Sequence, residues 1–536
     1  MGNSTSHLDT FAADRLPLRK DWPEFIFDLP ELQYPERINC AALLIDEAVE
    51  EGYGNNIAVY SDDSVISYAD LLECSNRVAE VLTKDMRLIP GNRVLLRAPN
   101  CPMLVAAWLG VIKAGGIAVT TMPLLRSKEL QQISRKCEIS HALCDDRLME
   151  DLESSAATTG LLGQRCNFSE LTQKMRAKSG KFTNIDTFRD DVCLLAFTSG
   201  TTGEPKATMH FHRDVLAMAD TVGRHLLRTQ PTDIYAGSPP LGFTFGLGAL
   251  LVFPLRFRGA VALVEAPLPE TLLDAIERFK VTTLFSTPMM YGTLGPILDH
   301  FDTSSLRQCV SAGETLPKPI SDKWFSQTGI RIIDGIGATE LIHIFIGASG
   351  DQIRPGATGK PLPGYQACVL GEDDEPLPAG SVGRLAVKGP TGCRYLADER
   401  QKEYVINGWN VTGDVYRMDD DGYFWFQARN DDIILSAGYN IAGPEVESAL
   451  LAHSAVAACA VVGAPDEHRG TIVKAFVVLD EDIEASAELS QELQEFVKNS
   501  IAPYKYPRKI AFVDSLPKTQ TGKVQRFRLR GSADHE

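Results

Sequence analysis

From Ile57 onward, short apolar runs take turns with longer stretches in which every third or fourth position is apolar. The runs Val94-Leu95-Leu96, Ile117-Ala118-Val119, His141–Cys144 and Leu194–Phe197 predict short buried strands, while Pro102–Lys113 and Arg126–Glu138 carry helical spacing. Gly115-Gly116 suits the stop of the first helix, because glycine takes the left-handed cap conformation without a steric cost. The alternation continues through a helix at Arg213–Leu227, a strand at Ile234–Ala236, a helix at Pro269–Phe279 and a strand at Thr282–Phe285. Further strands are expected to end at Val310-Ser311 and to start at Ile330. Strands alternating with helices argue for a largely parallel sheet covered on both faces, hence an α/β fold. Ser154–Gly163 is mostly small residues without a period and predicts a surface loop.

Past Gly350 the texture shifts to turns and short strands, at Tyr365–Leu370, Arg384–Val387 and Tyr423–Phe426. The pattern restarts beyond Arg429-Asn430-Asp431-Asp432, with a helix at Pro444–Leu451, strands at Val456–Val462 and Ala475–Leu479, and a helix at Glu492–Ser500. That describes a small α+β domain after the boundary, residues 431–536, behind a large domain of residues 1–430. A chain of 536 residues is in any case too long for one core. The residues before Glu36, rich in Pro, Asp and Arg, read as a leader draped over that core. Ile234–Leu255 carries no charge, but its prolines and glycines break a continuous span, so it reads as a buried strand and loop followed by a buried helix rather than a membrane segment.

A net charge of −17 argues against nucleic acid or an anionic membrane as a partner, although the stretch from Lys505 to Arg530 is basic and could receive a small anion. Eleven cysteines without a C-x-x-C pair suit free thiols in a reducing cytoplasm, and the N-terminus lacks an apolar signal region. Met1-Gly2 with Ser6 fits the acylation pattern, but a single acyl chain anchors only marginally. A cytoplasmic location is expected.

The strand Leu194–Phe197 stops at Thr198-Ser199-Gly200-Thr201-Thr202-Gly203-Glu204-Pro205-Lys206. Its glycines allow close backbone approach, its hydroxyls donate, and Lys206 adds a positive charge; these are the parts of an anion cradle. The order differs from G-x-x-x-x-G-K-[ST], so phosphate here would bind in a different class of site. A Gly/Thr-rich surface turn is the alternative reading.

Four further stretches keep the cradle company: Gly337–Glu340 (GATE), Thr412–Asp414 (TGD), Arg429–Asp432 (RNDD) and Leu516–Lys523 (LPKTQTGK). With TSGTTGEPK, these occur in the order found in the adenylate-forming enzymes, and the resemblance spans nearly the whole chain. Asp334–Phe345 (DGIGATELIHIF) and Ser436–Glu447 (SAGYNIAGPEVE) resemble benzoate-CoA ligases, whereas the leader HLDTFAADRLPLRKDWPEF and Phe243–Gly248 (FTFGLG) look more like 2-aminobenzoate-CoA ligase. The resemblance implies a large domain of layered parallel and mixed sheets with helices and a β-rich subdomain, plus a small mobile C-terminal domain. It also implies activation of an aromatic acid by ATP and Mg²⁺ to aryl-AMP, then transfer to coenzyme A.

Carried over residue by residue, Thr198 to Lys206 would hold the β- and γ-phosphates, Thr339 the α-phosphate and Glu340 the Mg²⁺. Gly313, Glu314, Thr315, Asp334 and Gly335 to Gly337 would line the adenine, with Ile336 where relatives usually carry an aromatic ring. Asp414 and Arg429 would take the ribose, and Lys523 would bridge the carboxylate and α-phosphate. Asp431 would be the hinge, and Gly438 would lie on the face presented for thiol capture. The acid pocket would come from Phe243-Thr244-Phe245-Gly246, Gly313 and Ile342-His343, with His343 able to donate to the carboxylate or to an ortho substituent. His210 and His212 receive no role. Loading of a carrier protein in place of coenzyme A, a downstream acyltransferase, a substituted benzoate as substrate, and a monomer or a homodimer all remain open.

Overall fold

Val94, Leu95 and Leu96 sit in the fully buried strand Arg93–Arg97, sandwiched between helices as their uninterrupted apolar run demands. The computed structural model describes residues 5–198, 205–429, 433–436, 439–466, 470–480, 483–501, 505–518 and 524–533. Arg93–Arg97 belongs to a six-stranded sheet in the order Gln164–Asn167, His141–Cys144, Arg93–Arg97, Ile117–Thr121, Val192–Thr198, Lys206–Phe211. All neighbours run parallel except the last pair, an antiparallel hairpin whose register sets Thr198 opposite Lys206.

A nine-stranded sheet forms the second layer. Its central strands Ile57–Tyr60, Ala260–Ala262, Ile234–Gly237, Thr283–Ser286, Gln308–Ala312 and Ile332–Gly337 are parallel. Antiparallel strands at both edges close it. Helix Pro102–Lys113, with proline at its first turn, buries nearly its whole length, and each buried Leu or Val there contributes about 1.5–3 kcal/mol. The charge-free stretch folds as expected: strand Ile234–Gly237, then a buried helical run from Thr244 to Arg256 with a π-helical turn at Gly248–Val252. Among the described residues no helix is long and apolar enough to cross a membrane.

The β-rich part is a five-stranded antiparallel sheet from Gln366–Leu370 to Phe424–Arg429. Beyond it come the hairpin Ile433–Ser436/Tyr439–Ala442 and a three-stranded sheet packed on helices Gly443–Leu450 and Ala487–Ser500. The leader covers the first sheet, with Trp22 buried against Phe211 at 5.8 Å between ring centres.

One expectation is corrected. Ser154–Gly163 is not a loop throughout, because Met149–Thr159 is a helix that Gly160 ends at φ +69°. Leu152, Ser155 and Ala156 face inward at helical spacing, and two of these three are too small to register as an apolar stripe.

Candidate active site

The hairpin of the first sheet carries Thr198 and Lys206 to its tip, where Thr198 Oγ1 is buried with no protein partner among the described residues. Ser199, Gly200, Thr201, Thr202 and Gly203 lie outside the described residues, as do Asp431, Gly438 and Lys523. The segment Arg394–Leu396 docks along Lys206–Phe211, with Met209 N–H donating to the Arg394 carbonyl at 2.8 Å and Leu396 N–H to the Ala207 carbonyl at 2.9 Å. This docking sets Tyr395 beside Lys206, whose ammonium lies 3.3 Å from the Tyr395 hydroxyl. The same hydroxyl donates to Glu340 Oε1. Glu340 is buried on the single turn Thr339–Leu341 that follows strand Ile332–Gly337, so three elements from the two sheets meet at one carboxylate. A lone buried carboxylate beside a cation, with one oxygen tied to a hydroxyl, fits Mg²⁺, which takes one or two carboxylates together with substrate oxygens.

The turn after Glu340 is strained. Ile342 has φ +66° and ψ −36°, and His343 N–H donates across it to the Leu341 carbonyl at 2.9 Å. That is a γ-turn of the rare, strained hand, and a β-branched residue in it costs on the order of 1–3 kcal/mol. Such strain persists where surrounding packing enforces it, and Ile342 is fully buried in the main core. Its conformation reverses the backbone between Glu340 and His343.

His343 is buried in a cage of Phe253, Phe245 and Phe285, whose ring centres lie 4.7, 5.5 and 6.4 Å from its own. Burial holds its pKa near about 3, so the imidazole is neutral. Nε2 lies 3.3 Å from the Phe245 carbonyl, which accepts its proton and leaves Nδ1 as an acceptor with no partner among the described residues. With Nε2 on that carbonyl, Nδ1 is the ring atom left to meet a bound acid. Thr244 is buried and Phe243 caps the short helix Thr244–Leu247. Gly248 completes the cage: a Cβ there would stand 2.4 Å from His343 Cδ2 and 2.6 Å from Nε2. Gly248→Ala should turn the imidazole and raise KM for the acid about tenfold, with unchanged circular dichroism; an unchanged KM would show that the ring does not shape the pocket.

On the nucleotide side, Gly313, with φ +92°, Glu314 and Thr315 leave the carboxyl end of strand Gln308–Ala312. Asp334 and Gly335 pair with Ser311 and Ala312 on the neighbouring strand. Ligands of open α/β sheets bind at such carboxyl ends. Burial pushes the Asp334 carboxyl up to about 7, and Ile336 packs against the main core. Asp414 and Arg429 are register partners in the five-stranded sheet, and Arg429 Nη1 donates to Asp414 Oδ1 at 3.1 Å.

Two buried tyrosines stand between these groups. The Tyr404 hydroxyl is raised by burial and then by the charges of Glu340 and Asp414, and the Tyr416 hydroxyl by burial, Asp414 and Asp334. Tyr395, Tyr404 and Tyr416 escape sequence reasoning: they stand singly in an isolated bridge, a short helix and a strand, and only the fold brings them to carboxylates distant in the chain. Lys518 and Val524 form an antiparallel bridge, and Lys518 Nζ is 3.0 Å from Met289 Sδ, just past the carboxyl end of strand Thr283–Ser286.

The pattern of the AMP-binding enzymes matches residues 46–395, and that of the AMP-binding enzyme C-terminal domain matches residues 445–523. The chain belongs to the AMP-binding enzymes. Within that family it is 33% identical to a benzoate–CoA ligase of Thauera aromatica, over 94% of this chain and 98% of that one. It superposes on the crystal structure of the anthranilate CoA ligase AuaEII in complex with anthranoyl-AMP with a TM-score of 0.91 and 32% identity, covering 95% of this chain and 99% of the other. A benzoate CoA ligase from Burkholderia xenovorans LB400 gives a TM-score of 0.85 at 30% identity, covering 92% and 100%. This AMP-binding enzyme is an AMP-forming acyl- or aryl-CoA ligase that uses ATP, Mg²⁺ and coenzyme A. Joining a carboxylate to AMP turns oxide, a poor leaving group, into a phosphate monoester, and the enzyme contributes mainly position and charge neutralisation.

Proposed function

We propose that this ligase activates 2-aminobenzoate to its acyl-adenylate and transfers the acyl group to coenzyme A, releasing pyrophosphate and then AMP. The carrying observation is His343 Nδ1, buried inside a cage of phenyl rings with no partner among the described residues. An ortho amino group supplies the missing N–H, and the rings supply flat apolar walls. Likeness to the anthranoyl-AMP complex supports the same reading. Benzoate is the second reading, favoured by the all-apolar ring set of Phe245, Phe253 and Phe285. Comparison of kcat/KM for 2-aminobenzoate and benzoate decides. One neutral hydrogen bond predicts about tenfold preference for the amino acid ring, lost in His343→Phe. Equal rates in the parent enzyme favour benzoate, and a preference that survives in the variant removes His343 as its source.

In this reading Thr198–Lys206 grips the β- and γ-phosphates, Thr339 the α-phosphate, Glu340 holds Mg²⁺, and Asp414 with Arg429 takes the ribose. Gly313 to Thr315 and Asp334 to Gly337 flank the adenine, and Lys523 approaches the reacting carboxylate. The boundary is assigned at 430/431 with Asp431 as the hinge, supported by a five-stranded sheet that ends at Arg429 and a new hairpin that begins at Ile433. Rotation there would present Gly438 to the incoming thiol. Asp431→Pro, which locks one φ, should slow one half-reaction at least about tenfold and leave the other intact; unchanged turnover in both removes the hinge assignment.

A further inference from the structure

Cys40, Cys193 and His212 lie far apart in the chain and are all buried, yet their Sγ, Sγ and imidazole nitrogen atoms lie within 4.8 Å of one another. Cys40 opens the helical stretch that continues through Ala42–Asp46, with the side chain of Asn39 accepting from Ala41 N–H at 3.2 Å as its cap. A helix N-terminus favours a thiolate in its first turn. His212 Nδ1 accepts from Cys40 N–H at 3.1 Å and lies 3.3 Å from Cys40 Sγ, so an imidazole nitrogen stands at hydrogen-bond distance from the thiol. Cys193 lies near the start of strand Val192–Thr198, the strand that ends at the phosphate-binding hairpin.

We propose that Cys40 and Cys193 are an oxidation site, at which Cys40 reacts with hydrogen peroxide and Cys193 resolves the product to an intramolecular disulfide. The Cys40 sulfur attacks one peroxide oxygen; the S–O bond forms, the O–O bond breaks, and the departing hydroxide takes the Cys40 proton and leaves as water. The Cys193 sulfur then attacks the sulfenic sulfur, forming S–S and breaking S–O, and the Cys193 proton leaves with the hydroxide as a second water. Two thiols lose two electrons and peroxide gains them, so no further reactant is needed.

The two thiols differ as the step requires. Hydrogen bonding and the neighbouring imidazole bring Cys40 to about 6 against its burial, whereas burial and the nearby Cys40 and Asp214 charges hold Cys193 in its protonated form. Every other cysteine is raised by burial as well. Closure needs the sulfurs to approach from under 4.8 Å to about 2 Å. Both thiols are fully buried, so peroxide reaches the pair through local opening of the surrounding structure.

The full chain is treated with hydrogen peroxide, alkylated with N-ethylmaleimide, digested and examined by mass spectrometry, beside an aliquot reduced with dithiothreitol. The expected result is a Cys40–Cys193 cross-linked peptide about 2 Da lighter than its two thiol halves, ahead of adducts at the other cysteines and reversed by dithiothreitol. In Cys193→Ser the cross-link should vanish and dimedone should capture a sulfenic acid at Cys40; in Cys40→Ser both signals should vanish. The inference is overturned if another cysteine oxidises first or if Cys40 stays alkylatable. It is also overturned if the purified protein carries an equivalent of zinc or copper that shields both thiols, which would make the three donors a metal site instead. The parent-protein measurement decides even if a variant fails to fold.

Discussion

Replacing Lys523 by alanine is expected to cut acyl-adenylate formation by about 10²–10³, the scale of losing one preorganised charge at a reacting centre, while coenzyme A still captures supplied acyl-AMP. The carboxylate of the acid and the α-phosphate of ATP are both anionic, and their approach is opposed until a cation stands between them. Lys206 is already engaged, its ammonium beside the Tyr395 hydroxyl that donates to Glu340. Lys518, five residues before Lys523 in the chain, reaches Met289 at the carboxyl edge of the large sheet. Adenylation is read as pyrophosphate release and capture as thioester formation from synthetic aryl-AMP. Equal losses in the two half-reactions would place Lys523 in general folding or binding rather than in the first step.

Glu340→Gln is expected to lower kcat/KM for MgATP by about 10²–10³, through loss of the one charged ligand that a hard cation prefers. The substitution keeps the volume of a buried side chain and leaves a carbonyl oxygen able to accept from Tyr395, so the fold control is a preserved thermal midpoint. Raising the Mg²⁺ concentration should recover part of the loss, because a weakened site is refilled by mass action. Tyr395→Phe separates position from charge: it frees the Glu340 carboxylate without neutralising it, and the loss should be smaller, about tenfold. A Glu340→Gln enzyme with unchanged Mg²⁺ dependence would remove the metal assignment.

Much of the scaffold was legible in the chain. Pro102–Lys113 and Pro269–Phe279 carry proline at the first turn and apolar positions at helical spacing, and the observed helices have those bounds. The helix Met149–Thr159 was missed because two of its three inward residues are small. Of the site, the strand into the phosphate loop, Thr339-Glu340 and the Asp414/Arg429 pair could be named in advance, since each belongs to a short motif whose residues act together.

Sequence alone determined most of the strands and helices, where a Gly/Thr-rich stretch follows a buried strand, and which charged residues stand in short motifs. Those are local properties, written in spacing and in the backbone freedom of a few residues. Tertiary structure alone decided that Tyr395 meets Glu340, that the Tyr404 and Tyr416 hydroxyls feel carboxylates from separate motifs, and that His343 Nε2 lies against the Phe245 carbonyl. Periodicity reports which side of an element faces inward, but not which distant residue it will meet there. Hydrogen-bonding state, charge and strain at a buried atom follow from that meeting.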